Sequence, residues 1–349
     1  MIALLVGMAV AFFLSIFGTP LIIRILRKRG IGQQIRDDGP FAHPHVQKAG
    51  TPTMGGIAIV GSAVIGYMVA HVRTEQIRFA RDGVALIALI VGMAIVGFVD
   101  DYLGVRRGRN LGLRKRGKTG GQLIVASGFA LLALNWVNVS TDLSFTRSVD
   151  LHMAGVVWFA VAVFFVYGFS NAVNLTDGMD GLAAGSAAMV FGAFVIIAFW
   201  QFRHPHIYGT LAAGSLDLAV VAAALMGACL GFLWWNAAPA QVFMGDVGSL
   251  ALGAAMAGLA LLTQTILLLP ILGGLYVFET MSVIAQVISY RVFHRRVLRM
   301  APIHHHFEVG GWPEFTVIVR FWLFAGLLVA LGLGFFYSDF IRAFPGARG

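Results

Sequence analysis

Carboxylates, amides, a lysine and three consecutive histidines stand in five short polar clusters of an otherwise apolar chain, at 48–53, 100–101, 171–180, 236–249 and 299–308. Asp100 and Asp101 are neighbours. A helix turns ~100° per residue, so one of them can ligand a cation while the other takes a proton or pairs with a lysine. Asn171, Asn174, Asp177 and Asp180 recur every three residues, a spacing that on a helical turn keeps them near one face. Gly178 and Gly181 between them permit a tight bend. Amides and carboxylates together suit a sugar, a nucleotide or Mg²⁺. Asp246, within FMGDVGS, stands where an apolar run resumes. It either caps that helix or, among the exposed N–H groups of its first turn, holds a metal beside a phosphate. Asp246, Asp100 and Asp101 together offer the oxygen ligands that Mg²⁺ takes alongside substrate phosphates.

The other clusters have their own chemistry and their own plainer explanations. His304, His305 and His306 invite a zinc site, but adjacent side chains diverge and no Cys or further His lies at a ligand spacing. With Arg299 and Glu308 they form a loop suited to binding a pyrophosphate or to acting as acid near neutral pH, unless it is a plain surface loop. Lys48 and Thr53, in a turn-rich entry to an apolar run, are ordinary phosphate ligands. The basic run at 114–118, which includes Lys118, can bind phosphate or merely flank a membrane span. Glu279 lies inside an apolar stretch, where an ionisable residue points to function unless it only pairs two helices. The plain alternatives for the aspartates are a solvated helix end at Asp100 and Asp101, and a cap and turn at 171–180.

Something must hold these clusters together, and the composition says what. Of 349 residues, 58% are hydrophobic and 12% charged, with a mean hydropathy of +0.83. That composition predicts an all-α polytopic membrane protein, a single integral domain over 1–349. About ten spans are expected, at 2–23, 54–72, 83–99, 120–135, 153–170, 181–200, 218–235, 248–265, 267–290 and 316–337. Runs this long argue against a barrel. The first carries no basic leader or cleavage signal, so it reads as a retained helix. Pro270 and Gly273-Gly274 predict a break in the ninth. The alternation at 136–152 predicts a short hairpin outside the membrane. Connections on one side hold 17 Lys and Arg against 7 on the other, which makes the first side cytoplasmic and places both termini outside. All five polar clusters then fall on the cytoplasmic face. Cys229 is the only cysteine, so no intrachain disulfide forms. The net charge of +9 sits beside spans, which favours membrane lipid headgroups and substrate phosphates over nucleic acid.

Taken in order, GTPTMGG with its upstream Lys48, VDDY, NAVNLTDGMDGLA, PAQVFMGDVGSLALG, ETMSVIAQV, RMAPIHHHFE and GWPEFTVIVRFW resemble the phospho-N-acetylmuramoyl-pentapeptide transferases, or translocases I. These belong to the polyprenyl-phosphate N-acetylhexosamine-1-phosphate transferases. The resemblance covers about 20–335. It implies a ten-helix, Mg²⁺-dependent homodimer of the bacterial inner membrane, acting in peptidoglycan synthesis. Such an enzyme moves phospho-N-acetylmuramoyl-pentapeptide from its UDP carrier to undecaprenyl phosphate, giving lipid I and UMP. By the same resemblance Asp100, Asp101 and Asp246 are the essential carboxylates, with Asp246 and Asp100 on the metal. Lys48, Thr53, Lys118, Asn174, Asp177, Asp180 and Phe243 line the substrate pocket, and His304, His305 and His306 form the signature loop.

Between Gly39-Pro40 and Lys48 the chain is two residues longer than the usual pattern and carries His43 and His45, to which no role falls. A sister enzyme that transfers N-acetylglucosamine-1-phosphate to the same lipid would share the aspartates. The strings MAPIHHHFE and PAQVFMGDVGS favour the muramoyl-pentapeptide enzyme. A transporter would step its ionisable residues across the membrane; here, Glu279 apart, they gather at one face.

Overall fold

The computed structural model describes residues 1–32, 50–73, 78–106 and 112–343. Lys48, His43 and His45 lie outside them. Ten long helices follow one another: α1 (Ile2–Lys28), α2 (Gly56–Arg73), α3 (Arg81–Arg106), α4 (Lys115–Leu132), α5 (Gly155–Thr176), α6 (Leu182–Arg203), α8 (Leu211–Asn236), α9 (Gly245–Leu262), α11 (Gly274–Phe293) and α13 (Glu314–Ala343). Three short ones intervene, α7 (Pro205–Tyr208), α10 (Leu269–Leu272) and α12 (Ile303–Val309). Eight of the long helices are long and apolar enough to cross a membrane, as a polytopic chain requires. The other two expected spans are helical as well. Gly56–Val72 is apolar but shorter, and α11 carries Glu279, Gln286 and Arg291 among its apolar residues.

The packing is centred on α9, whose side chains from Val247 to Leu262 are all buried. α3 and α5 flank it, with α2 and α6 also in contact. α8, apolar on every side, is buried between α1 and α6. With lipid outside, helices associate by close packing and hydrogen bonds rather than by a hydrophobic difference. Small residues therefore mark the crossings. Gly231 of α8 lets the Phe12 carbonyl of α1 come within 2.5 Å of where a Cβ would stand. Ser15 of α1 donates to the Ala228 carbonyl at 2.8 Å and Trp235 to that of Ile16 at 2.7 Å.

The break expected in the ninth span separates α10 from α11 at Gly273. The expected hairpin is present too: β1 (Asp142–Ser144) pairs antiparallel with β2 (Ser148–His152). Arg147 at its turn forks onto Asp339 of α13 at 2.8 and 3.1 Å.

A second polar cluster lies at the end of the bundle away from Asp100 and Asp101. Asp217, at the start of α8, accepts from the Tyr67 hydroxyl at 3.0 Å and the Ala80 N–H at 2.8 Å. His71 Nε2 stands 2.9 Å from its other oxygen. All three side chains are buried. Counted along α3 at 1.5 Å per residue, Asp82 and Asp101 are roughly 28 Å apart, close to the thickness of a bilayer's hydrocarbon core. The two polar clusters thus bound an apolar middle. Asp217→Ala leaves a hydroxyl, an N–H and an imidazole without their acceptor. It should destabilise the detergent-solubilised protein by about 3 kcal/mol in thermal unfolding, and Asp217→Asn, which keeps one acceptor, by less. Equal midpoints for wild type and Asp217→Ala would show that the cluster braces nothing.

Candidate active site

Asp100 and Asp101 lie near the end of α3 and Asp246 in the first turn of α9, yet one carboxylate oxygen from each falls within 4.8 Å of the others. Backbone proximity explains the convergence. A Cβ on Gly97 would overlap the Asp246 carbonyl, and one on Gly56 the backbone of Gly248. Glycine at both positions lets α3 and α2 press directly on the first turn of α9. The turn before α2 is tied on as well. Phe243 N–H donates to the Pro52 carbonyl, and Gly55 and Gly56 donate to the Phe243 and Met244 carbonyls, each at 2.8 Å.

The adjacent aspartates divide their work. Asp101 Oδ2 accepts from the Val247 N–H at 3.2 Å. Met244, the residue at the N-cap of α9, supplies no side-chain bond, so α3 supplies the acceptor that the free N–H groups of α9 need. Asp100 Oδ1 accepts from the Leu113 N–H at 2.8 Å, which leaves its Oδ2 toward the cluster. Asp246 itself is no cap. Lys118 of α4 donates to its Oδ2 and Asn174 of α5 to its Oδ1, the latter at 2.5 Å. Lys118 Nζ also stands 3.7 Å from Asp100 Oδ2. Three carboxylates facing one ammonium leave two formal negative charges. Hard oxygen donors carrying that charge fit a divalent, oxygen-seeking cation such as Mg²⁺ and not a thiolate- or imidazole-bound metal.

The 171–180 segment departs from the expected single face. α5 ends at Thr176, and the chain then turns through Gly178 to Gly181, whose φ is +80°. Periodicity lapses with the helix. Asn171 points to α4, donating to Gln122 Oε1 at 3.3 Å, while Asn174 faces Asp246 and Ser249. Asp177, beyond the helix, is held well above the usual carboxylate range, first by burial and then by the negative field of Asp246, Asp101 and Asp180. A neutral carboxyl can donate a hydrogen bond where an ionised one cannot. Asp180 is buried, and its Oδ2 accepts from the Ala240 N–H at 2.9 Å. In this structure it pins the loop before α9.

Thr53 Oγ1 and Asp101 Oδ2 lie on the same side of Gly245, within 2.9 and 2.5 Å of a Cβ built there. Phe243 is half-buried beside them. The histidines reach the site from the far end of the chain. Nε2 of His304 and of His305 lie 2.6 and 3.3 Å from a Cβ built on Gly178, next to Asp177. His305 Nδ1 meets Glu308 at 2.9 Å, and His306 Nδ1 accepts from the Arg299 N–H at 3.0 Å. Each ring has a different partner, and the three aspartates form the one metal-sized group among the described residues. Among the described residues no group of histidines stands at metal-binding distances. Glu279, ambiguous in the sequence, is fully buried and lies 3.0 Å from His304 Nδ1. Sequence reasoning gave Ser249 no role, although it follows Asp246 by three positions on the same helix.

The sequence pattern of glycosyl transferase family 4 matches residues 84–264, and signature 1 of the phospho-N-acetylmuramoyl-pentapeptide-transferases matches 48–60. The phospho-N-acetylmuramoyl-pentapeptide-transferase of Frankia casuarinae is 50% identical over 349 residues, covering 97% of this chain and 98% of its own. That of Streptomyces griseus is 50% identical over 346 residues, covering 95% and 96%. That of Corynebacterium kroppenstedtii is 46% identical over 364 residues, covering 98% and 99%.

Asp246→Asn should weaken binding of Mn²⁺, a spectroscopic stand-in for Mg²⁺, by at least about tenfold in an electron paramagnetic resonance titration. Asp101→Ala, by removing the acceptor at the start of α9, should cost about 1 kcal/mol of thermal stability as well. Unchanged Mn²⁺ affinity in Asp246→Asn would take the cation away from this cluster.

Proposed function

The chain belongs to the phospho-N-acetylmuramoyl-pentapeptide-transferase family, and from that premise we propose its reaction in detail. It transfers phospho-N-acetylmuramoyl-pentapeptide from UDP-N-acetylmuramoyl-pentapeptide to undecaprenyl phosphate, releasing UMP and forming lipid I for peptidoglycan. The observation that carries the reading is the meeting of Asp100, Asp101, Asp246, Lys118 and Asn174 at one end of an apolar helical bundle. A lipid-borne phosphate and a nucleotide diphosphate can reach one another there. The excess of Lys and Arg on the same side supports a cytoplasmic site in the inner membrane.

Both substrates are anionic, so their mutual repulsion adds to the barrier of breaking the P–O bond. Asp246 and Asp100 would hold Mg²⁺, which when bound neutralises charge on the diphosphate and on the departing UMP. The chain's own groups do the rest. Lys118 places an ammonium between Asp246 and Asp100, where it can also meet a phosphate oxygen. Asn174 and Ser249 hold Asp246 in orientation. Asp101 joins α3 to the start of α9 and so keeps the two halves of the cluster in register. Asp177, whose carboxyl burial and the neighbouring carboxylates hold above the usual range, faces the nucleotide side of the site. His305 and Thr53 complete the wall. Asp100, with one oxygen bound to backbone and the other toward the cluster, is the group placed to take a proton from the attacking phosphate.

Purified protein given Mg²⁺, UDP-N-acetylmuramoyl-pentapeptide and undecaprenyl phosphate should release UMP. A chelator should abolish the release, and Asp246→Asn should slow it by about 100-fold or more. UDP-N-acetylglucosamine should not replace the donor. UMP released from UDP-N-acetylglucosamine but not from the muramoyl donor would assign the sister reaction instead.

A further inference from the structure

α11 has two unlike faces. Phe278, Met281, Ile284, Val287 and Ile288 are exposed and apolar, the side suited to lipid. Glu279, Ser282, Gln286 and Ser289 recur at intervals of three and four on the other side, and each meets the segment 295–306. Ser282 Oγ accepts from the Ile303 N–H at 3.0 Å, at the start of α12. Gln286 Oε1 accepts from the N–H groups of Val297 and Leu298 at 3.1 and 2.9 Å. Ser289 donates to the Arg295 carbonyl at 2.8 Å. These three grip backbone and would hold other sequences equally well. Glu279 differs because it meets a side chain, His304.

Glu279 and His304 are both fully buried, a costly place for ionisable groups unless they serve each other. Glu279 Oε2 stands 3.0 Å from His304 Nδ1 but too obliquely for a hydrogen bond, and His304 Nε2 has no hydrogen-bonding partner among the described residues either. An imidazole carries its proton on the nitrogen that has an acceptor. Here the one carboxylate within reach of the ring, Glu279, lies at Nδ1, where a small rotation of the ring would complete the bond. The bare Nε2 is then directed at Gly178, beside Asp177. A carboxylate behind an imidazole, setting tautomer and aim, is the arrangement that orients the histidine of a hydrolytic triad.

We infer that Glu279 is a positioning residue for the transfer reaction, holding His304 with its proton on Nδ1 and its Nε2 toward the turn of Asp177 and Gly178. This rests on the proposed function in one respect, that the turn belongs to the nucleotide-donor side of the site. Glu279 touches neither substrate in this scheme and acts only through His304.

The test combines kinetics with a direct reading of the tautomer. Glu279→Gln should raise the KM for UDP-N-acetylmuramoyl-pentapeptide at least about tenfold and leave the KM for undecaprenyl phosphate unchanged, a split that general loosening of the fold would not produce. In a double-mutant cycle with His304→Gln, the double variant should be no worse than His304→Gln alone. ¹⁵N spectra of histidine-labelled wild-type protein, with the His304 signals assigned by their loss in His304→Gln, should show Nδ1 protonated and Nε2 bare. Additive losses in the cycle would overturn the inference, and a wild-type His304 protonated on Nε2 alone would overturn it even if Glu279→Gln fails to fold. A wild type that releases no UMP while His304 shows the expected tautomer counts against the proposed reaction and not against the Glu279–His304 pairing.

Discussion

The first turn of α9 is held where the backbones of α2 and α3 leave no space for side chains between them, and the site depends on that closeness. Gly56 and Gly97 permit it. The bond from the Val247 N–H to Asp101 then ties α3 to α9. Without this approach Asp246 would stand apart from Asp100 and Asp101, and each would be an ordinary carboxylate at a helix end. With it, three carboxylates share a space small enough for one cation. The arrangement works against folding on its own account, because like charges repel most where water is scarce. Lys118, Asn174 and the N–H groups at the start of α9 offset part of that repulsion, and the remaining negative charge suits a divalent cation.

The same economy of polar groups runs through the bundle. In the apolar middle, helices meet through small residues and a few buried hydroxyls such as Ser15. Charge is confined to the two ends. At one, Asp217 accepts from the Tyr67 hydroxyl and the Ala80 N–H on one oxygen and faces His71 with the other, so that a single carboxylate is matched by its neighbours. At the other, carboxylate oxygens outnumber their donors. A satisfied cluster braces helices, whereas one left with excess charge can bind something further.

α11 joins the carboxylate cluster to the end of the chain. Its polar stripe is filled by the loop that carries the histidines. This leaves one helix with an apolar side suited to lipid and a polar side that supports the histidine loop. Glu279, which looks anomalous within an apolar run, is where that support meets a side chain.

Much was legible in the residues alone. Long apolar runs have few places to go other than helices in a bilayer, so the helices, the break at Gly273 and the hairpin at 142–152 could be read from pattern and composition. The site's chemistry was legible because Asp100, Asp101 and Asp246 are costly beside a membrane unless they are used. The family strings added which aspartates act together. Side-chain direction past the end of a helix was not legible. The three-residue spacing at 171–180 put four polar groups on one face, but periodicity governs orientation only while the helix lasts, and α5 stops at Thr176. Thereafter the turn leaves Asp177 half-buried and sends Asp180 to the Ala240 N–H. Nor could the sequence say that Asp101 caps α9 while Asp246 does not, or that Glu279 belongs to His304. Such pairings join residues 25 to 146 positions apart, and local propensity carries no information about partners that only helix packing brings within reach. The sequence by itself determined the kind of protein and the residue types of its chemistry; tertiary structure decided which of those groups converge, because contact between distant helices depends on where their backbones can touch.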